Sequence, residues 1–585
     1  MPLAPFSGTL GYKRAAHLLH RANAGATKEQ IDSFSSLTAA QAVALLFQEP
    51  IPNPVLPLDP LTNKEWVISG VTAANSGDGD LQDFFKGWFI GQMLGTGIDP
   101  SVVLAYTTRE KIVFFIHTVI TAIQSKIDNS RSLYFQNQLF RLFAFDKNQL
   151  AKVNFKELTK KVTVDNGMLR LLDGELNVDG SPNENYAREL MELFSIGRGL
   201  EGTVPPVTDP GDYYYYREVD VQQGARVLSG WMVDTNFSAI DVDTKLPRGI
   251  VRGSATNASA HDNGAKQFSD RFNNTLIQPK ATLLNGSNPT EVSALDEISQ
   301  LIEMIYAQPE TAKNICRRIY RFFVYHDITT VIDNNIISQM ANTFTSSGFK
   351  LQPVLEELFQ SQHFYDAAGG VDDDNFGGVI KSPLDLMTGT MRMFSLSLPD
   401  PVSSAQSFYN STGQLMRSLN SMGMNFYEPD DVAGYNAYHQ WPIYQRSWIS
   451  TNYLTERYEF INQLVKENQG MTGAMSIDLV GFVKSKFSNA TASNARDLII
   501  ALAQYLLPLN DNLTFTTGAD TNSGLTAARM NYFLTAFLLS PQLDADPEGM
   551  WTFRWNSTGY EMEVMQRQLE FLFNAMMQSP EYQLY

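Results

Sequence analysis

Apolar residues return at intervals of three and four along most of this chain, and that spacing constrains the fold more than any single motif. The cleanest instance is SPNENYARELMELFSIG, residues 181–197. On a helix of 3.6 residues per turn, residues 183–196 put Leu193, Tyr186, Leu190, Phe194, Ala187 and Met191 on one arc. Glu184, Ser195, Arg188, Glu192, Asn185 and Glu189 take the other arc, an amphipathic pattern. Pro182 and Asn183 suit the start of the helix and Gly197 its exit. Arg188 stands four residues after Glu184 and four before Glu192, so the helix predicts pairing with both. Glu189 lies at the edge of the apolar arc and is expected to be partly buried. A buried carboxylate needs a cation or several donors, and Arg317, Arg318 and Arg321 are the expected source.

The same periodicity runs through YKRAAHLLHRANAG, which ends at Gly25, a candidate left-handed cap. Thr27 with Gln30, and Thr38 with Gln41, have the spacing of capping boxes. Residues 81–94, 100–125 and 132–145 read as helices, and Asp165 as the N-cap of NGMLRLLDG. Residues 50–60 are a proline-rich connector. Residues 202–288 differ: Gly, Pro, Asp and Asn dominate, four tyrosines stand at 213–216, and strand-like runs are short. This predicts a long irregular insertion with a small β-hairpin. Helices resume over 291–325 and 334–364, and the loop DAAGGVDDDNFGG at 366–378 is the candidate boundary before a mostly helical remainder. ELFQSQHFY, AFLLSPQLD and AMMQSPEYQ suggest similar helix endings at irregular distances, not a solenoid. The predicted fold is mainly α: two packed helical lobes, residues 1–378 and 379–585, the first carrying an irregular, short-β insertion at about 202–288.

Length and charge then narrow the function. A chain of 585 residues, 43% hydrophobic and 18% charged, is globular. A net charge of -18 with no basic cluster disfavours nucleic acid and anionic membranes. Cys316 is the single cysteine, which excludes an intrachain disulfide and a thiolate metal cage; a buried hydrophobe is its expected role, with a reactive thiol beside Arg317 as the alternative. IVFFIHTVITAI, residues 112–123, is too short to cross a bilayer and reads as a core helix. No signal peptide is visible at the N-terminus, so a soluble, cytoplasmic protein is the default.

Few constellations suggest chemistry. His17 and His20 have a spacing that metal ligands use, without further ligands nearby in sequence. His117 reads as a core histidine. His261 and Asp262, with Lys266 close by, suit acid/base work or a capped turn equally. Asp372, Asp373, Asp374 and Asn375 miss the calcium-loop register at Phe376 and read as a solvated acidic loop. No nucleophile elbow, phosphate-cradling loop or dinucleotide fingerprint occurs. The residues therefore imply neither a metal nor a cofactor.

PNENYARELMELFSIGRG resembles the signature of the bacterial family called domain of unknown function 1800. Further stretches resemble that family in order: RAAHLLHRANAGAT, REKIVFFIHTVIT, DVQQGARVLSGWMVD, HDNGAKQF, ETAKNICRRIYRFFV, KSPLDLM and MGMNFYEPDDVAGYNAYHQW. The family helix that often reads Trp-His-x-His-Phe has Ile116, His117, Thr118, Val119 and Ile120 here, without a second histidine, and Phe194 stands where many members have His. The family lacks an established activity. Its genes often neighbour those of domain of unknown function 1501, which resembles alkaline phosphatases and sulfatases, and many such pairs look exported. The resemblance thus implies a protein partner of that kind and allows an envelope or exported location. The resulting expectation is a non-catalytic binding or assembly protein. The alternative is a hydrolase-like enzyme with a carboxylate/arginine/histidine site in an interlobe cleft. The candidate polar cluster is Asn185, Arg188, Glu189, Glu192, His261 and Asp262.

Overall fold

The computed structural model describes residues 3–70, 74–146, 153–366, 378–466, 475–508, 510, 513–518, 525–538, 545–559 and 561–585. These residues are mainly α-helical. Strands occur among them only as three two-stranded antiparallel pairs.

Helices Asp78–Leu94, Val103–Val119 and Ser130–Ala144 pack against one another at the centre. The helix Val103–Val119 buries every residue but Leu104, as a helix apolar on all sides must. It also buries charge. Glu110 accepts from Arg109 Nε at 2.9 Å and from Arg141 Nε at 2.9 and 3.1 Å, so this buried carboxylate is paired. Local signals act as the periodicity predicts. Thr27 with Gln30 and Thr38 with Gln41 form complete capping boxes, and Asp165 accepts from Met168 N at 3.0 Å.

Gly25 does different work from the one expected. The first helix, Gly11–Ala22, ends in an extended Asn23, and Gly25 follows at φ +109°. A Cβ there would lie 2.7 Å from Gly389 Cα, so the residue permits backbone contact between distant segments. Arg392 seals the junction, donating from Nε to Gly25 O at 2.6 Å and from Nη1 to Leu94 O at 3.0 Å. Buried apolar residues from Leu3 to Tyr582 form one continuous cluster, on both sides of residue 378. The boundary loop 366–378 and the acidic residues 372–375 lie almost wholly outside the described residues.

Within 202–288, Trp231–Met232 pairs with Ile250–Val251, and Lys266–Gln267 with Leu276–Ile277. Alternation along the second pair turns Lys266 inward and Gln267 outward. The echoed helix endings have a physical cause in the two described copies. Helices Leu351–Phe359 and Met562–Met577 are each followed by a 3-10 turn whose preceding serine accepts a backbone N–H: Ser361 Oγ from Phe364 N at 3.1 Å and Ser579 Oγ from Tyr582 N at 3.4 Å. The third copy runs into residues outside the description. Among the described residues, no helix is long and apolar enough to cross a membrane.

Candidate functional site

The signature helix spans Asn185–Glu192, shorter than the 183–196 its pattern allows. Its end unwinds because Leu193 N and Phe194 N both donate to Glu189 O, at 2.9 and 3.1 Å, and Gly197 N reaches back to Met191 O at 2.9 Å. Gly197 sits at φ +76°, where a Cβ would lie 2.7 Å from the Asn314 side chain. Asn314 Nδ2 donates to Ser195 O at 2.8 Å and ties this exit to the helix Pro309–Phe323. The apolar arc is buried as expected: Tyr186, Ala187, Leu190 and Met191 all lie in the core. Ala187 and Met191 pack against Gly224 of the helix Glu218–Val227, where a Cβ would lie 3.2 Å from each and the neighbours would have to give way slightly.

That second helix supplies what the sequence did not disclose. Arg188 pairs with Glu184 at 3.2 Å, as the spacing predicts, but not with Glu192. It instead grips Glu218 in a fork, Nη2 to Oε1 at 2.6 Å and Nη1 to Oε2 at 3.1 Å. Tyr213 OH accepts from Arg188 Nη1 at 3.1 Å and donates to Glu218 at 2.7 Å. Arg188 holds the Glu218 carboxyl down at about 2, with help from Tyr213. Glu192 accepts from Tyr216 OH at 3.2 Å and pairs with Arg198. Asn185 donates to Leu172 O at 3.3 Å and fastens the start of the helix.

Glu189 is the exception. It is half-buried, and its carboxylate has no hydrogen bond or ion pair among the described residues. Burial, then the neighbouring Glu192 carboxylate, raises its carboxyl above the ordinary range; Arg188 and Arg198 oppose this without cancelling it, and Asp431 adds to it. The expected arginines go elsewhere. Arg317 pairs with Asp333 at 2.6 Å and with Glu310 at 2.5 Å, and Arg321 with Glu201 at 2.5 Å. Arg318 keeps one buried nitrogen, Nη1, without a partner among the described residues, and burial with Arg321 alongside lowers its guanidinium to about 10. Asp431 lies 3.8 Å from His439 Nε2, which contacts Gly434 O at 3.3 Å. Burial, then Arg318, lowers the His439 imidazole. The segment around Asp431 and His439 thus comes electrostatically within reach of both the signature helix and the arginine helix.

His261 and Asp262 do not join Arg188 and Glu189. Arg226 binds Asp262 at 2.6 and 3.2 Å, whereas Arg188 binds Glu218. Arg226 and Glu218 stand eight residues apart at opposite ends of one helix, about 12 Å along its axis. His261 Nδ1 donates to Ser229 O at 2.9 Å, and its Nε2 lies 3.4 Å from Glu297 Oε1. Lys266 pairs with the other Glu297 oxygen and donates to Asp262 O at 2.5 Å. The side chains of His261, Lys266 and Glu297 have 0% exposure. Burial lowers the Lys266 amine even against the pull of Glu297. Burial also opposes ionisation of Asp262, but the bonds from Arg226 and Gly264 N–H hold its carboxylate below the usual range. This turn therefore closes the insertion onto the helix Glu291–Tyr306.

The remaining candidates are packed into the interior. His17 lies against Phe364, ring centroids 4.7 Å apart, and His117 stacks flat on Tyr427 at 4.1 Å. Burial pushes the Cys316 thiol up, away from reactivity. Among the described residues, no three His, Cys, Asp or Glu side chains are placed to hold one metal ion.

The fold is mainly α-helical, and the polar face of its helix Asn185–Glu192 carries one acid, Glu189, whose side chain has no partner among the described residues. The chain belongs to the family described as Protein of unknown function (DUF1800), whose profile matches residues 17–584. Comparison with curated proteins and with solved structures found no match.

Proposed function

We propose that this chain is a non-catalytic binding and assembly protein whose contact surface centres on the polar face of the signature helix. The observation that carries this reading is Glu189: a half-buried carboxylate with no hydrogen bond or ion pair among the described residues, beside a rim already paired. A partner's lysine or arginine would supply the counter-charge that burial demands. The tyrosine turn at 213–216 supports the same reading. Tyr213 is 36% exposed and its hydroxyl is fixed by Arg188 and Glu218, so it offers contact area at low entropic cost. A member of the phosphatase- and sulfatase-like domain of unknown function 1501 family, in an envelope or exported setting, is the partner we propose. Titration calorimetry of the full chain against such a protein tests it. Glu189→Gln is expected to weaken binding by about tenfold, and Glu189→Lys to abolish it, with the melting temperature nearly unchanged. Equal affinity of all three proteins would refute the proposal.

A second reading, a hydrolase, rests on the raised carboxyl of Glu189, a property of general acids. It has lost its other sequence candidates, since Arg188 is bound by two carboxylates and His261 is sealed. Turnover of ester or glycoside substrates that disappears in Glu189→Gln would favour it over the binding reading.

A further inference from the structure

A groove of about 520 Å³ runs between helices Ala527–Leu538 and Met562–Met577, beside Tyr458 of the helix Thr451–Val465. None of the residues discussed above for partner contact lines it. Its volume falls in the range of small-molecule sites, about 300–1,000 Å³. The helical repeat builds its walls. Phe571, Asn574, Ala575 and Gln578 form one stripe at positions i, i+3, i+4 and i+7, and Arg529, Tyr532, Thr535 and Ala536 form the facing one. Ala536 and Ala575 keep the floor open between larger neighbours. The two wall rings are each about half in water: Tyr532 is 52% exposed and Phe571 46%. Arg529 lies 6.0 Å from the Tyr532 ring centroid, and the exposed parts of the two rings offer a ligand apolar surface on both walls of the groove.

We propose that this groove binds a neutral oligosaccharide by stacking sugar rings on Tyr532 and Phe571 and bonding their hydroxyls to Asn574, Gln578 and Thr535. A pyranose ring offers a flat C–H face, which packs on an aromatic face, and a rim of hydroxyls that both donate and accept. Carboxamides match that rim because each carries both functions. Gln578 Nε2 donates to Asn574 Oδ1 at 3.0 Å and to Tyr458 O at 3.3 Å. These bonds set the orientation of both amides, and Asn574 Nδ2 and Gln578 Oε1 remain without protein partners among the described residues.

Charge selects the class of ligand. The protein carries -18 overall, yet the one cation in this lining, Arg529, is held by Glu581 at 3.1 Å. The groove thus offers a free charge of neither sign, which suits a neutral ligand and gives a polyanion or polycation nothing to pair with. Its shape disfavours a peptide. An added strand needs an open sheet edge, which two helices do not provide. An amphipathic helix would bury Asn574, Gln578 and Thr535 under apolar side chains without replacing their hydrogen bonds.

Calorimetric titration of the full chain with hexamers of a β-1,4-glucan, an α-1,4-glucan and chitin tests the assignment. At least one is expected to bind, and Tyr532→Ala and Phe571→Ala each to weaken it by about tenfold or more. Both variants should melt close to the wild type, because about half of each side chain is already in water. Asn574→Ala should weaken binding less. The proposal is overturned if no hexamer gives heat at millimolar concentration, if both alanine variants bind as tightly as the wild type, or if an uncharged peptide displaces the sugar.

Discussion

Two polar clusters face opposite ends of the helix Glu218–Val227, and they look alike in sequence. Each sets acids beside bases near a glycine: NENYARELMELFSIG in one, HDNGAKQF in the other. Their surroundings differ entirely. Arg188, Glu184 and Glu218 keep 29%, 34% and 32% of their side chains in water, so solvent shares the task of stabilising their charge. Lys266 and Glu297 are sealed from it and rely on each other, on the nearby Asp262 carboxylate and on the backbone, with His261 packed alongside. A charge cluster open to water can exchange partners at little cost. A sealed one holds two segments together and cannot take part in binding without coming apart. The comparison fits the recognition role proposed for the first cluster, and it makes the second the closure of the insertion.

The largest effect should come from the sealed cluster. Glu297→Gln leaves the Lys266 ammonium buried without its counter-ion and is expected to destabilise by about 3–5 kcal/mol in denaturant titration. Lys266→Met combined with Glu297→Leu should recover most of that loss, because both charges leave together. A single substitution costing under about 1 kcal/mol would mean that water reaches Glu297 after all.

Arg188→Ala should cost less, about 1 kcal/mol or below, since its fork to Glu218 is partly solvated. Salt sharpens the contrast. Raising ionic strength is expected to shrink the Arg188 effect and to leave the Glu297 effect standing. Equal salt sensitivity would erase the distinction between the clusters.

The smallest effect falls on Glu189 and has an unusual sign. Burial holds its carboxyl above the ordinary range, so the folded chain ionises it less readily than the unfolded chain does. The carboxylate therefore costs stability above its folded pKa, and this cost fades as pH falls through that value toward about 4. Glu189→Gln is expected to stabilise the protein slightly at neutral pH and to have no effect once pH has fallen to about 4. A destabilised Glu189→Gln variant at neutral pH would reveal a partner for Glu189 within the chain.

Much of the architecture was legible because its causes are local. Capping at Thr27, Thr38 and Asp165 depends on a side chain reaching a backbone group three residues away. The burial of Tyr186, Leu190 and Met191 depends on the helical period. One long-range signal was present in the sequence and went unread. Glu297 lies on the apolar stripe of its helix, three residues after Ala294 and four before Leu301, and a carboxylate there requires a buried cation. The partners Glu218 for Arg188 and Arg226 for Asp262 had no comparable signal, since nothing local links residue 188 to 218 or 226 to 262.

Sequence alone determined where helices start and stop, which arc of each turns inward, and which family the chain resembles, because those properties arise from contacts three or four residues apart and from ordered motifs. Tertiary structure decided which charges meet and which of them water reaches. An ion pair is set by the distance between segments, and its energy by the dielectric around it. Both are properties of the packed chain: they seal Glu297 against Lys266, and they leave Glu189 half-buried beside Glu192, with Arg188 and Arg198 near but no ion pair of its own among the described residues.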